Sequence, residues 1–556
     1  MKAKFILIIS FLFIPSIHLL AAEPPAEDVG AQAERFKIGV EQKKEELEPK
    51  ELKAPEIEIK PVEEKAVTEG ISFTLKEVVI TGTTVFKPED FRPIYEPSLG
   101  KKVTFKDLEL IVEKIKAKYT QKGYLTTIVY LPEQDIAEGK IEIKVVEGKM
   151  GKLSIEGNKY FSSSLIEKYF HLKKNEILNV KRLQKDILRL NQNPDLEVKA
   201  VIAAGEEPET SDLTLKIKDK FPWHLGVSED NQGTRLVGKY RSSVWLRSTN
   251  ATDNFDSLFI NTLFSCRSFG ESVSYSIPLN TYGTKFTIEA TYFKMKLGKE
   301  YGSFDITGKS QIYTPYISWE LALLENYQAN ANIGLEIKSI EKKTAGSVTA
   351  NDELRLPYFS FDFTKLDSFG QTVFSPKFNF STEDFWGASN RNHPTASRVG
   401  SGGFFFKYAQ TLRRTQRMPF KSYLQLRSQF QAASHTLPSS EQFQLGGANS
   451  IRGYPEGDYV CDMGGNLDLD WVFPLSFIPL RNQIEWVVFA DSGGGKLKKV
   501  LPGEKGNKFL AGVGAGLRCR LNNKFSLRLE WAEHLADRPT SGSGPSTFYL
   551  TFQSEM

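Results

Sequence analysis

The sequence predicts two small α+β modules in tandem followed by a transmembrane antiparallel β-barrel of about 16 strands. Three observations carry that expectation. An export signal opens the chain. A pattern of strands and helices occurs twice between residues 71 and 219. From Phe221 onward helical periodicity gives way to alternating strands.

At the N-terminus Lys2 and Lys4 precede "FILIISFLFIPSIHLLAA", an apolar run too short, and too broken by Pro15, to span a bilayer comfortably. Ala21 and Ala22 then lead into a polar stretch, so residues 1–22 read as a signal peptide rather than a buried helix. No later stretch offers about 20 unbroken apolar residues, so no transmembrane helix is expected after it. An exported chain of this kind is periplasmic, secreted, or an outer-membrane barrel whose alternating strands escape hydropathy scans. Lys+Arg number 72 against 68 Asp+Glu, a net charge of +4. That balance points neither to nucleic acid nor to a solvating acidic tail. Cys266, Cys461 and Cys519 form no CxxC pair, which excludes a disulfide framework and a zinc knuckle and leaves one bridge or none open.

Residues 23–70 are charged and punctuated by proline, as in a solvated linker. Within them "VGAQAERFKIGVEQKKEEL" sets Val29, Ala33, Phe36 and Val40 at helical spacing, while Gly30 and Gly39 weaken it. A short amphipathic helix on a tether and a disordered tail fit this stretch equally.

The first module spans residues 71–148. "FTLKEVVITG" (Phe73–Gly82) reads as a strand. In "TFKDLELIVEKIKAKYTQKGY", Thr104 is the N-cap. Leu108, Ile111, Val112, Ile115 and Tyr119 form one stripe, and Gly123 closes the helix. "TTIVYLP" and "KIEIKVVEG" follow as β segments. Residues 149–219 repeat the plan. A strand and turn, "LSIEGNKYF", stands where "VVITGTTVF" stood. A capped short helix follows, then a helix with Leu183, Ile187 and Leu190 on one face, then two strands.

Residues 220–556 alternate. "FTIEATYF" sets Phe286, Ile288, Ala290 and Tyr292 against Thr287, Glu289 and Thr291; "YLQLRSQFQ" and "FSLRLEW" do the same. A soluble sandwich alternates in this way too. The region has no helical covering layer, is too long for one sandwich, and ends its strands in Tyr, Trp and Phe as interfacial girdles require. At roughly 20 residues per strand and turn it holds about 16 strands.

The loop "QLGGANSIRGYPEGD" (Gln444–Asp458) joins two of these strands and puts Arg452 among Gly446, Gly447, Gly453 and Gly457. So much glycine suits a loop folded into the lumen, where backbones approach closely. There Arg452 needs a paired carboxylate. "WVVFADSGGG" supplies one: Phe489, Asp491 and Gly493 share a face, and a lipid face does not tolerate the acid. A bidentate Arg452–Asp491 contact is expected to pin the loop. The plainer alternative is a surface turn with a solvated acid.

At these residues a family resemblance enters. "GGANSIRGY" resembles the [VI]-R-G-[FY] loop signature, and "FADSG" the F-x-D-x-G signature, of barrels in the BamA/TpsB superfamily. The two modules resemble POTRA domains, and two is the number typical of two-partner secretion translocators (TpsB), the ShlB/FhaC/HecB-like haemolysin secretion/activation proteins. "SEDNQGTRLVGKYRSSVWL" is similar to the start of that family's barrel. The likeness covers about residues 70–556. It implies a 16-stranded barrel whose sixth extracellular loop enters the pore, with Ile451, Arg452, Gly453 and Tyr454 as the pore-loop motif. Phe489, Asp491 and Gly493 would be the inner-wall motif, and residues 29–46 a plug helix. Ile451 stands where valine is commoner, and "STFYLTF" runs on into Gln553–Met556 where such barrels usually finish on an aromatic.

The function implied is export of a dedicated, unfolded exoprotein, haemolysin- or adhesin-like, from periplasm to cell surface. The client would bind the POTRA modules by β-augmentation and its folding outside would drive transfer. Outer-membrane lipid is the other partner; a monomer is expected, with no nucleic acid, cofactor, metal or catalytic residues. The alternatives are an assembly factor that inserts other barrels, an outer-membrane enzyme, and a passive porin. "VGAGLR" (Val513–Arg518) has no following helix to hold phosphate. His224, His393, His435 and His534 are scattered without GxSxG or HExxH, and read as solvent-facing.

Overall fold

The computed structural model describes residues 27–47, 55–59, 72–475, 484–521, 524–540 and 546–555. Residues 1–22, read from the sequence as a signal peptide, lie outside them, as do residues 23–26, 48–54 and 60–70 of the stretch read as a linker.

The first module packs the helix Phe105–Gln121 against a three-stranded sheet in the order 77–81, 140–146, 128–130. Thr104 caps that helix and shares a capping box with Asp107, which satisfies donors the helix leaves open. Leu108, Ile111, Ile115 and Tyr119 are its buried stripe. The stretch Phe73–Gly82 is not one strand. Ser72–Thr74 pairs with Lys102–Thr104, and Glu77–Thr81 pairs in parallel with Lys140–Val146. The fully buried Leu75 sits at the break, and its neighbour Lys76 donates to Gly139 O instead.

The second module repeats the plan, with Asn179 capping the helix Val180–Leu190 and Leu183, Ile187 and Leu190 in the core. Its four-stranded sheet runs in the order 57–59, 196–204, 210–219, 149–156. The outermost strand, Ile57–Ile59, comes from the linker and adds itself in parallel to Leu196–Ala204.

The remainder closes into a barrel of sixteen antiparallel strands, β1 (Trp223–Asp230) to β16 (Ser546–Glu555) in chain order. Outward positions carry exposed Ile288, Ile333 and Leu517, with Trp471 and Trp486 near one rim and Trp531 and Phe548 near the other. Inward positions are polar, among them Ser272, Thr291, Asn332, Glu336 and Lys338, all buried. That partition, apolar out and polar in, is what a bilayer imposes on a closed sheet. The last strand continues through Gln553 to Glu555, where Glu555 pairs with Gly226 on β1. Five paired positions close this seam, against eight between β1 and β2 (Arg241–Ser248).

The second module is fixed to one end of the barrel. Arg189 donates from Nη2 and Nε to the two oxygens of Glu320 on β6 (Thr307–Leu324) at 2.7 and 3.3 Å. The Phe255 ring stacks on Phe161 and meets Tyr169 edge-on. His224 is not solvent-facing: it bonds Asp195 of the module at 2.9 Å and Glu555 at 3.1 Å. Glu555 is thus held in an ion cluster with His224 and Arg247. All three cysteines are free.

Candidate functional site

The loop between β11 (Tyr423–Ala433) and β12 (Met463–Pro474) turns into the lumen. Phe443–Leu445 and Tyr459–Cys461 pair with each other and form the stem of an inward finger. At its tip Ile451, Arg452 and Tyr454 are all buried. Gly453 adopts a φ of 96°, a left-handed conformation that other residues reach only with strain.

Arg452 lies against β13 (Ile484–Lys496), the strand that carries Phe489, Asp491 and Gly493. Its Nε donates to Asp491 Oδ2 and its Nη2 to Asp491 Oδ1, both at 2.7 Å. Its backbone N–H adds a third bond to the same carboxylate at 3.0 Å. The guanidinium carbon sits 3.4 Å from the centroid of Phe489, the face-on geometry of a cation–π contact. Ile451 reaches Gly493, where an added Cβ would come within 2.9 Å of its Cδ1. Gly453 N donates to Tyr549 Oη at 3.1 Å, and that hydroxyl donates in turn to Tyr454 O. The structure therefore brings all seven sequence-derived positions into one cluster.

Other members of the cluster were not singled out from the sequence. Arg452 also donates to Asp470 at 2.5 Å and Glu530 at 3.2 Å. Arg518 on β14 (Asn507–Leu521) bonds the same two acids, Arg528 bonds Glu530, and Arg427 bonds Asp468. Four guanidiniums thus face four carboxylates in the wall. The match is required, because Asp468 and Asp491 stand directly opposite each other in register, a like-charge pairing that is unfavourable alone. The signal, visible afterwards, is the alternation of "DLDW" and "RLEW", which puts Asp468, Asp470, Arg528 and Glu530 on the inward face. The glycines in and before "VGAGLR" also find their reason: a Cβ at Gly512, just ahead of it, would lie 1.9 Å from Arg452 O, and one at Gly514 2.4 Å from the Phe489 ring. Gly512 makes room for the finger and Gly514 for the ring on which Arg452 rests. His534 is half-buried against the Tyr454 ring rather than solvent-facing.

A second element fills the lumen. The helix α1 (Val29–Leu47) lies inside the barrel. Phe36 packs on Phe293, and Lys37 pairs with Glu336 at 3.0 Å. Lys43 and Lys44 donate to Ser228 and Ser274, and Glu45 accepts from Arg413. Arg35 donates to Gln444 at the base of the finger, and Gln444 donates back to Ala31 O at 2.8 Å. Lys338 ties the pieces together: fully buried, it pairs with Glu34 of α1, Glu336 of the wall and Glu441 of the loop. Lumen contacts of this kind, absent from local propensity, hold α1 helical despite Gly30 and Gly39.

Comparison with known proteins settles the family. A family model for the haemolysin secretion/activation protein ShlB/FhaC/HecB matches residues 209–519, more than half the sequence. The chain belongs to this family. Ahead of that span, a POTRA domain of ShlB type matches residues 73–148 and a second POTRA repeat, of the surface antigen variable number type, residues 149–220. A heme/hemopexin transporter protein of Haemophilus influenzae is 24% identical over 512 residues, covering 87% of each chain. The outer membrane transporter CdiB of Dickeya dadantii is 22% identical over 438 residues, covering 77% of this chain and 74% of its own. Among solved structures, CdiB from Escherichia coli superposes with a TM-score of 0.75 at 19% identity, covering 95% of this chain and 98% of that one. BamA from Haemophilus ducreyi reaches 0.52 at 14% identity, over 87% of this chain and 100% of that one. This ShlB-type protein is an outer-membrane translocator of the two-partner secretion kind, with its POTRA domains in the periplasm.

Proposed function

We propose that the protein, acting as a monomer and without chemistry of its own, exports one dedicated unfolded exoprotein through its barrel to the cell surface. The observation that carries this reading is a polar lumen occupied by two pieces of the protein's own chain, α1 and the finger. Both are held by hydrogen bonds and ion pairs to the wall together with apolar packing, Phe36 of α1 against Phe293 and Ile451 and Tyr454 of the finger beside Leu510. A polar wall can satisfy the backbone groups of a passing extended chain, which a wholly apolar channel could not.

Capture falls to the first POTRA domain. In the second, the linker strand Ile57–Ile59 already occupies one sheet edge. In the first, the edge strand Ile128–Tyr130 exposes both Ile128 and Tyr130, an open hydrogen-bonding edge with apolar anchors that suits an extended client. The Arg452–Asp491 contact then acts as the finger's latch, and α1 as the plug that must yield.

The test is site-specific photo-crosslinking during secretion. Probes at positions 128 and 130 and at the lumen positions 291 and 332 are expected to trap the same large exoprotein, in that order of time. Crosslinks to many nascent barrel proteins, with none at the lumen positions, would instead indicate an assembly factor.

A further inference from the structure

We propose that the outer wall of the barrel between β4 (Ser268–Pro278) and β7 (Tyr327–Thr344), at its extracellular rim, is a binding site for the phosphate groups of the outer leaflet's glycolipid.

A recess of about 530 Å³ opens there, and Arg267, Lys294, Lys296, Lys309 and Lys343 line it against a single lining carboxylate, Glu341. Its height on the wall follows from the strand. On β5 (Lys285–Lys296) the alternate residues Phe286, Ile288, Ala290 and Tyr292 face outward and then give way to Lys294 and Lys296. Their inward neighbours Phe293 and Met295 are buried in the cluster that packs on α1. A lipid-facing strip thus ends in an aromatic and is followed by cations, the sequence of environments from hydrocarbon to headgroup. The hairpin above it is short, β3 (Ser257–Phe264) leading to β4 through residues 265–267, so the wall ends close to headgroup level.

The arrangement of the cations points to an anion. Lys294 and Lys309 are directly opposite each other in register across β5 and β6, where like charges repel. Neither has a carboxylate within ion-pair distance among the described residues. Each Nζ instead lies over a ring: Lys294 at 5.3 Å from the Phe269 centroid and Lys309 at 5.8 Å from that of Tyr292. Of the nearby acids, Glu341 stands opposite Lys309 in register but pairs with Lys343 at 2.8 Å, Asp305 pairs with Lys296 at 2.6 Å, and Glu271 stands opposite Tyr292, one step down the wall. Two apposed ammonium groups on aromatic seats, at headgroup height and without a counter-ion from the protein, match a phosphorylated sugar headgroup whose acyl chains run down the apolar strip below. A basic cluster at a membrane surface recognises anionic lipid through the same charge complementarity.

Native mass spectrometry of the full-length protein in detergent tests this with three probes: diphosphoryl lipid A, its dephosphorylated form, and inorganic phosphate. Diphosphoryl lipid A is expected to bind, with the dephosphorylated form at least roughly tenfold weaker. The paired substitution Lys294→Gln with Lys309→Gln is expected to weaken binding by roughly thirtyfold, and Lys294→Arg with Lys309→Arg to retain it. The wild-type comparison of the two lipids stands even if the Gln pair fails to fold. Equal binding of both lipids, or undiminished binding by a folded Gln pair, overturns the proposal. So does displacement of the lipid by inorganic phosphate at comparable concentration, which would make the recess a free-anion site.

Discussion

Arg452 and Asp491 meet inside the barrel through two parallel hydrogen bonds, Nε to Oδ2 and Nη2 to Oδ1, each 2.7 Å long. The pair joins a mobile class of structure, a loop, to a rigid one, a strand, in a place sealed from bulk water. A buried ion pair broken on one side leaves an uncompensated charge and costs about 3–5 kcal/mol. Here it would leave Asp491, Asp470 and Glu530 facing one another with only Arg518 and Arg528 in compensation.

Arg452→Ala is therefore expected to release the finger while the barrel still assembles. Secretion of the client should fall by at least an order of magnitude, and Arg452→Lys, which loses the two-pronged geometry, should recover only part of it. Secretion assays alongside heat-modifiable mobility of the folded barrel check this; a variant that secretes normally would show that the latch has no role in export.

The helix α1 and the finger share one anchor, Lys338, and no sequence pattern announced it. Lys338→Ala removes the common partner of Glu34, Glu336 and Glu441. Planar-bilayer recordings should show frequent large-conductance openings where the wild type is mostly shut. Deleting residues 27–47 should give the same conductance permanently.

How much of this was legible in the residues depends on whether the determining forces were local. The capped helices of the two modules, Thr104 and Asn179 at their heads, are local and were read directly. So was the alternation that lines the barrel, and so were the positions of Arg452 and Asp491. The helix α1 was not decided, since Gly30 and Gly39 argue against it locally while Gln444, Glu336 and Lys338, hundreds of residues away, argue for it. The break at Leu75 was missed because both halves have strand character and only the tertiary partner changes. His224 was read as solvent-facing because nothing in the sequence shows that Asp195 and Glu555 converge on it.

The docking of the second POTRA domain rests on Arg189 and Glu320, both nearly inaccessible. Glu320→Gln is expected to weaken that dock by about 3 kcal/mol, while Asp195 and Phe255 keep the domain from detaching. Distances between spin labels on the domain and on the barrel rim should broaden. An unchanged, narrow distribution would place the dock elsewhere.

In the first POTRA domain Glu147 is buried, which pushes its carboxyl up. The hydrogen bonds it accepts from Thr84 N, Val85 N, Tyr119 Oη and the Thr84 hydroxyl outweigh that and hold it below the usual carboxylate range. A depressed folded-state value gives stability that is present above the unfolded value, near pH 4.3, and is lost as pH falls through the folded one. Hydrogen exchange across residues 73–148 of the full chain, corrected for intrinsic rates, should show this domain loosening below about pH 4.3. Glu147→Gln should be weaker at neutral pH and flatter over the acid range.

The central claim, a pore dedicated to one exported partner, is tested most directly by quantitative proteomics of medium, cell surface and outer membrane in a strain lacking this gene. Loss of one large exoprotein from surface and medium, with every other barrel at its normal level and recovery on re-expression, is the expected result. A concerted fall of many outer-membrane barrels would contradict it and make the protein an assembly factor.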